Sequence, residues 1–376
     1  MKDIVFINAF DLAMNGQTHL FIEALLNSDF KVEYWSVVKC FFPNRPTATY
    51  DIVKSDYHIK IDTFNELLDK MNKLRINDTL LGIGTIPERW KYRAFFKFIN
   101  KSKFFTFILI GSSRYKSTEN KLDLKFLDKL KRTVIKMEKN LLRLFWRANF
   151  CDIYISPNPS SYCSRKVFIN NKDYEKHRTD SHLPDIIQNK YAVFLDQYFP
   201  LHYQIKRSKD DPSNEKYVHK HLNIMCSFFT KIERQFDLKI VVALHPASKY
   251  TETDYGGRIV LKHKTCQLIQ HSKFVITHGS TSISFAILRY CPLIFFYTDD
   301  IKAMSPDIFS FSKANSQLLK SPFLHVEQFT NNPCLSLPEP YIDRDACEKY
   351  KYTHMTRKEI ENRENEDIII ELFKSL

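Results

Sequence analysis

"KFVITHGSTSISFAILRYCPLIFFYT" (residues 273–298) is the stretch that decides the fold. A short apolar run meets a small, hydroxyl-rich corner, His278-Gly279-Ser280-Thr281-Ser282, and a helix-like run and a second apolar run, "PLIFFYT" (292–298), follow it. Strand, tight corner, helix and strand make one turn of a doubly wound α/β domain. The chain has seven glycines in 376 residues, so the one at this corner asks for a reason. Gly279 permits a tight turn, and a hydroxyl after it caps the helix. A cap needs one hydroxyl, and here three stand together. Helix-start amides and adjacent hydroxyls are also what a phosphate binds, so the corner is expected to hold one.

The same pattern extends outward on both sides. In the second half, "YAVFLDQYFP" (191–200), "LKIVVALHPAS" (238–248) and "GRIVLKH" (257–263) read as strands, with helices over 213–235 and around 265–271. In the first half, "DIVFINAF" (3–10), "KVEYWSVV" (31–38), "DTLLGIGT" (78–85), "FFTFILIGSS" (104–113) and "CDIYISPNPSS" (151–161) read as strands. Residues 162–190 are polar with little periodicity and read as a linker. A chain of 376 residues is too long for one ordinary core. The expected organisation is a first Rossmann-like domain over 1–180, a second over 181–350, and a C-terminal helix in 351–376 that packs across them, with Ile360, Ile368, Leu372 and Phe373 on one side.

The net charge of +13 asks for an anionic partner. Nucleic acid is not expected, because no zinc-finger, RNP or helix-turn-helix signature appears. Residues 121–147 form the clearest helix, with Leu127, Leu130, Val134, Met137, Leu141 and Phe145 at steps of three and four. They carry nine Lys or Arg against three acids, and "WKYRAFFKFINKSK" (90–103) interleaves basic residues with aromatics. Both suit the surface of an anionic membrane. No run of eighteen apolar residues and no signal peptide is seen, so a cytoplasmic protein, peripheral at the inner face of the cytoplasmic membrane, is expected. The eight cysteines form no CxxC pair, and neither a zinc site nor a disulfide framework is expected from them.

Ligands of an open parallel sheet collect beyond the carboxyl ends of its strands. His245 ends "VVALHP", where Pro246 stops the strand and fixes the rim. Asp196 follows the first strand of the second half, with Gln197 beside it. Asp11, Asn15 and Gly16 lie in the first strand-to-helix loop, and Glu88 in "GTIPERW". Asp11 and Asp196 are the candidate general bases, and Asn15, Gly16 and Glu88 the candidate acceptor contacts.

An "HP" after one strand, then a Ser/Thr-Ser cluster that opens a helix some 35 residues later, resembles bacterial glycosyltransferases of the GT-B fold that use CMP-activated sugars. Sialyltransferases, polysialyltransferases and capsule Kdo transferases share this pair of motifs. The resemblance covers roughly residues 190–300 and implies two Rossmann-like domains facing a central cleft. It also implies an inverting transfer of a nonulosonic-type sugar (sialic acid, Kdo, pseudaminic or legionaminic acid) from CMP to a hydroxyl of a glycan or glycolipid. In those families the HP histidine and the serines contact the donor phosphate. That carries over to His245 and Pro246 and to His278, Gly279, Ser280, Thr281 and Ser282. The families' acidic motif, two acids before a glycine, has no counterpart here. No metal and no cofactor besides the donor are expected, although "FYTDD" places Asp299 and Asp300 at a strand end. The rival readings are a CDP-polyol phosphotransferase, a UDP-sugar glycosyltransferase or epimerase, and a basic membrane-surface scaffold without activity.

Overall fold

The computed structural model describes residues 2–12, 20–44, 52–84, 86–87, 89–111, 126–145, 151–158, 165–202 and 215–376. They form two compact units. One is built from residues up to 172 together with 356–376, the other from 173–355.

The first unit holds a seven-stranded parallel sheet. Its strands are β1 (Asp3–Asn8), β2 (Lys31–Ser36), β3 (His58–Lys60), β4 (Thr79–Ile83), β5 (Phe105–Leu109), β6 (Ile153–Ile155) and β7 (Arg165–Val167), in the order β3-β2-β1-β4-β5-β6-β7. Successive side chains of β1 alternate between two apolar layers. Ile4 and Phe6 join one, and Val5 and Ile7 join the other, so helices cover both faces. Strand β7 corrects the expected linker: Arg165–Val167 pairs with β6. Three residues, two of them charged, at a sheet edge leave no periodicity to read.

The second unit holds β8 (Tyr191–Leu195), β9 (Lys239–Leu244), β10 (Val260–Lys262), β11 (Val275–Thr277), β12 (Leu293–Tyr297) and β13 (Phe323–His325), all parallel, in the order β10-β9-β8-β11-β12-β13. The central strand β8 sends Phe194 into one layer and Val193 and Leu195 into the other. In both sheets the order reverses next to the first strand, between β1 and β4 and between β8 and β11. These two switch points are where open α/β sheets bind ligands.

The C-terminal helix starts at Asn365, later than the periodicity suggests, and runs to Lys374. Ile368, Ile369, Leu372 and Phe373 bury into the layer that holds Ile4 and Phe6, with Phe373 4.8 Å from Phe107 between ring centroids. Full burial of one such side chain contributes about 1.5–3 kcal/mol. Polar groups fix its start. The Asn170 amide donates to Asn365 Oδ1 at 2.7 Å, and Asn365 Nδ2 donates to the Asn170 carbonyl at 2.8 Å. Thr356 Oγ1 donates to Asn170 Oδ1 at 2.6 Å.

The basic helix spans Phe126–Phe145. Among its described side chains Leu142 is buried. Val134, Met137, Leu141 and Leu144, at steps of three and four, are 47%, 58%, 40% and 75% exposed. Three members of the apolar stripe, Val134, Met137 and Leu141, are therefore at the surface. No helix among the described residues is long and apolar enough to cross a membrane.

Candidate active site

The corner after β11 answers the question its sequence raises. Gly279 has φ +133°, a conformation open to glycine, and a Cβ there would lie 2.8 Å from Ile308 Cγ2 and 3.5 Å from Gln197 Oε1. Glycine is therefore required twice, by the backbone and by close packing. The following helix, Ile283–Leu288, is short, and its N-cap Ser282 makes no side-chain capping bond. The first amides are instead spent within the corner. Thr277 Oγ1 accepts from Gly279 N–H at 3.2 Å and from Ser280 N–H at 3.1 Å. Ser280 Oγ accepts from Ser282 N–H at 3.2 Å. Further along, Ser284 and Phe285 N–H bond back to the Thr281 and Ser282 carbonyls. The expected row of free helix-start amides is thus corrected: most of these donors are occupied, and Ser280 is a buried brace. Exposed Thr281 and half-buried Ser282 are the hydroxyls presented to solvent.

His278 is also corrected as a donor contact. Its ring is fully buried, 5.6 Å from Phe194 and 5.4 Å from Phe296, and neither ring nitrogen has a hydrogen-bond partner. Burial lowers its pKa to about 4. The neighbouring His221, 6.2 Å away between centroids, is likewise buried and lowered to about 3. Both rings are neutral core side chains.

His245 stands just past the end of β9, half-buried, with exposed Pro246 after it. Its Nδ1 accepts from the Ala247 N–H at 3.1 Å. That places the ring proton on Nε2 and leaves Nε2–H as a donor. Burial lowers the pKa of His245, so the ring works as a neutral donor. His202 crosses it edge-on, with centroids 5.0 Å apart at 89°. Nothing in the sequence pattern singles out His202, because its neighbour is 43 residues away in the chain.

Asp196 follows β8 and lies between these two strand ends. It is 5% exposed. Its Oδ1 accepts from Tyr198 N–H at 2.7 Å and its Oδ2 from His245 N–H at 3.3 Å. Burial raises its pKa to about 6, opposed by those two amide bonds and by the Ser248 and Tyr255 hydroxyls. Asp196 is therefore a positioning residue: it holds the backbone of His245 and has no open face for an acceptor. Its place as a candidate base is corrected accordingly.

In the first unit, Asp11 lies beyond β1, half-buried, and its Oδ1 accepts from Ser36 Oγ at 2.7 Å. Ser36 ends the adjacent strand and is a contact the sequence reading missed. Across the same switch point, a Cβ on Gly84 would lie 2.6 Å from Asn8 Cγ. Asn15, Gly16 and Glu88 lie outside the described residues.

No family model and no curated protein matches the chain. Solved structures do. The wall teichoic acid polymerase TagF is similar over 100% of this chain and 89% of its own, with TM-score 0.52 and 12% identity. UGT2 of Phytolacca americana, solved with UDP-2fluoro-glucose and pterostilbene, is similar over 100% of this chain and 99% of its own, with TM-score 0.51 and 9% identity. The fold, with its two parallel-sheet α/β units, is that of the GT-B glycosyltransferases.

Proposed function

We propose that the protein is an inverting glycosyltransferase that uses a CMP-activated nonulosonic sugar. The observation that carries this reading is the arrangement of the second sheet's rim. His245 Nε2–H and the Thr281 and Ser282 hydroxyls stand at the ends of β9 and β11, which flank β8 at its switch point. Two strand spacings, about 10 Å, separate the two strand ends. CMP is favoured as the nucleotide because the HP and Ser/Thr-Ser motifs occur together in that order.

In this reading Asp11 takes the proton of an acceptor hydroxyl on a glycan or glycolipid. The hydroxyl oxygen bonds to the anomeric carbon as the bond from that carbon to the phosphate oxygen breaks. CMP leaves with the electron pair, and the carbon inverts. Charge growing on the phosphate is met by the His245 donor and the two hydroxyls. The step needs no metal and no cofactor.

A thermal-shift panel tests the donor, since a ligand of the native state raises apparent stability. CMP or a CMP-sugar should raise Tm most. A shift with only a CDP-polyol or only UDP would move the reading to those rivals, and no shift with any nucleotide would leave a scaffold. The Thr281→Ala, Ser282→Ala double variant should stay folded and lose CMP far more than cytidine, which has no phosphate.

The exposed stripe of the Phe126–Phe145 helix, on a segment rich in Lys and Arg, supports a peripheral place on an anionic membrane. Flotation with anionic vesicles, weakened by salt and by Leu144→Asp, is the expected result. Equal recovery with neutral vesicles would refute it.

A further inference from the structure

We propose that Asp299, His325 and Glu327 form a binding site for a zinc-class divalent cation at the edge of the second sheet. His325 closes β13, Glu327 stands two residues on in the helix Val326–Thr330, and Asp299 opens the helix Asp299–Met304 after β12. His325 Nε2 lies 3.0 Å from Asp299 Oδ1 and 3.3 Å from Glu327 Oε2. One ligand atom from each of the three residues lies within 4.8 Å of the others. Zinc takes imidazole and carboxylate ligands at about 2.0–2.1 Å, which sets tetrahedral ligand edges of about 3.3 Å. The two measured edges are already near that length.

Hydrogen bonding leaves this cluster short of a positive partner. Nε2 carries at most one hydrogen and faces two carboxylate oxygens. Glu327 Oε1 is served by the Asp299 N–H at 3.0 Å, but Glu327 Oε2 is buried and has no hydrogen bond. Lys220 bonds Asp300 Oδ1 at 2.8 Å and reaches Glu327 and Asp299 through its charge alone, without a hydrogen bond to Glu327 Oε2. A divalent ion would satisfy the orphan oxygen and balance both carboxylates. The imidazole plane is fixed in advance by the Tyr297 ring, stacked at 4.8 Å and 7°. Asp299 is 68% exposed along its side chain, so water has access to complete the coordination. One imidazole with two carboxylates suits zinc better than magnesium or calcium, which take oxygen ligands.

The site is distinct from the proposed phosphate contacts. In the sheet order β13 is two strands from β11, about 10 Å, and four from β9, about 19 Å. The ion would fasten β13 and two helix starts to the sheet and take no part in sugar transfer.

Titration of the full chain with Co²⁺, followed by visible absorption, tests this. One ion per chain should bind, without the near-ultraviolet band that thiolate ligands give. In Asp299→Asn and His325→Ala, affinity should fall about tenfold or more, with circular dichroism and metal-free Tm near those of the parent. Asp299→Asn guards against loss of the Tyr297 stack, since Asp299 is exposed. Absence of stoichiometric binding would overturn the site, and so would a Co²⁺ spectrum and affinity unchanged in both variants. The trio would then be an ion-paired brace only. None of these readouts depends on the sugar-transfer reading.

Discussion

Two aspartates follow the first strands of the two sheets, and their surroundings are opposite. Asp11 is half-buried and accepts one hydroxyl bond, from Ser36 at 2.7 Å. Asp196 is closed in, accepts two backbone amides and has its pKa raised to about 6 by burial. The same residue type at matching places thus does two jobs. One carboxylate keeps part of its surface exposed. The other is consumed in holding the chain that carries His245. Position relative to a strand end is therefore insufficient to assign a base, and the hydrogen-bond partners decide.

The largest effect that could break this contrast is on turnover. Asp11→Asn should lower kcat by about 10²–10⁴-fold, the usual contribution of a general base, while its Tm stays near that of the parent. A folded Asp11→Asn enzyme with parental kcat would remove Asp11 from the reaction and reopen the assignment.

The next effect is on stability. Asp196→Ala leaves the amides of Tyr198 and His245 without their acceptor, at about 1–3 kcal/mol for each buried group left unsatisfied. Asp11→Ala gives up one hydrogen bond, from the Ser36 hydroxyl, and should cost less, about 0.5–1.5 kcal/mol. Chemical denaturation of both variants checks the pair, and equal losses would mean that the two acids are structurally alike.

How much of this was legible in the sequence depends on chain distance. Strands such as Tyr191–Leu195 and Lys239–Leu244 could be read because β-branched and aromatic residues run together in them. Two edge strands of three residues, Arg165–Val167 and Phe323–His325, were not read, although the equally short Val260–Lys262 was. His245 and Gly279 were readable from their places at strand ends. The fate of Asp196 was not, because it depends on an amide 49 residues away. For the same reason His278 looked available: the rings that enclose it, Phe194 and Phe296, come from two other strands.

The smallest effect sharpens the contrast through pH. His278 and His221 are neutral when folded, at about 4 and 3, against 6.5 when unfolded. The unfolded chain binds more protons at these two sites below pH 6.5, so their contribution to stability is lost as pH falls from 6.5 toward 4. Asp196 acts the other way: raised from 3.8 to about 6, it favours the folded state at low pH and loses that as pH rises through 6. Two groups outweigh one, so acid should destabilise the second unit. His278→Leu removes an imidazole with no hydrogen bonds to lose and should shift acid unfolding to lower pH, by about one unit or less, at little change near neutrality. An unmoved acid midpoint would show that His278 does not titrate in that range.

The asparagine pair that fixes the last helix has a consequence for biosynthesis. Asn170 and Asn365 are 195 residues apart, and everything from 173 to 355 belongs to the other unit. On the ribosome the first sheet is made early, yet the wall that shields Ile4, Phe6 and Phe107 arrives only after the whole second unit has been translated. Synthesis at about 5–20 residues per second leaves that layer only partly covered, by the helix Ile22–Leu26, for roughly 10–40 seconds. The usual order, in which the N-terminal domain finishes first, is inverted here. The nascent first sheet must wait for its own last helix before its apolar layer is complete.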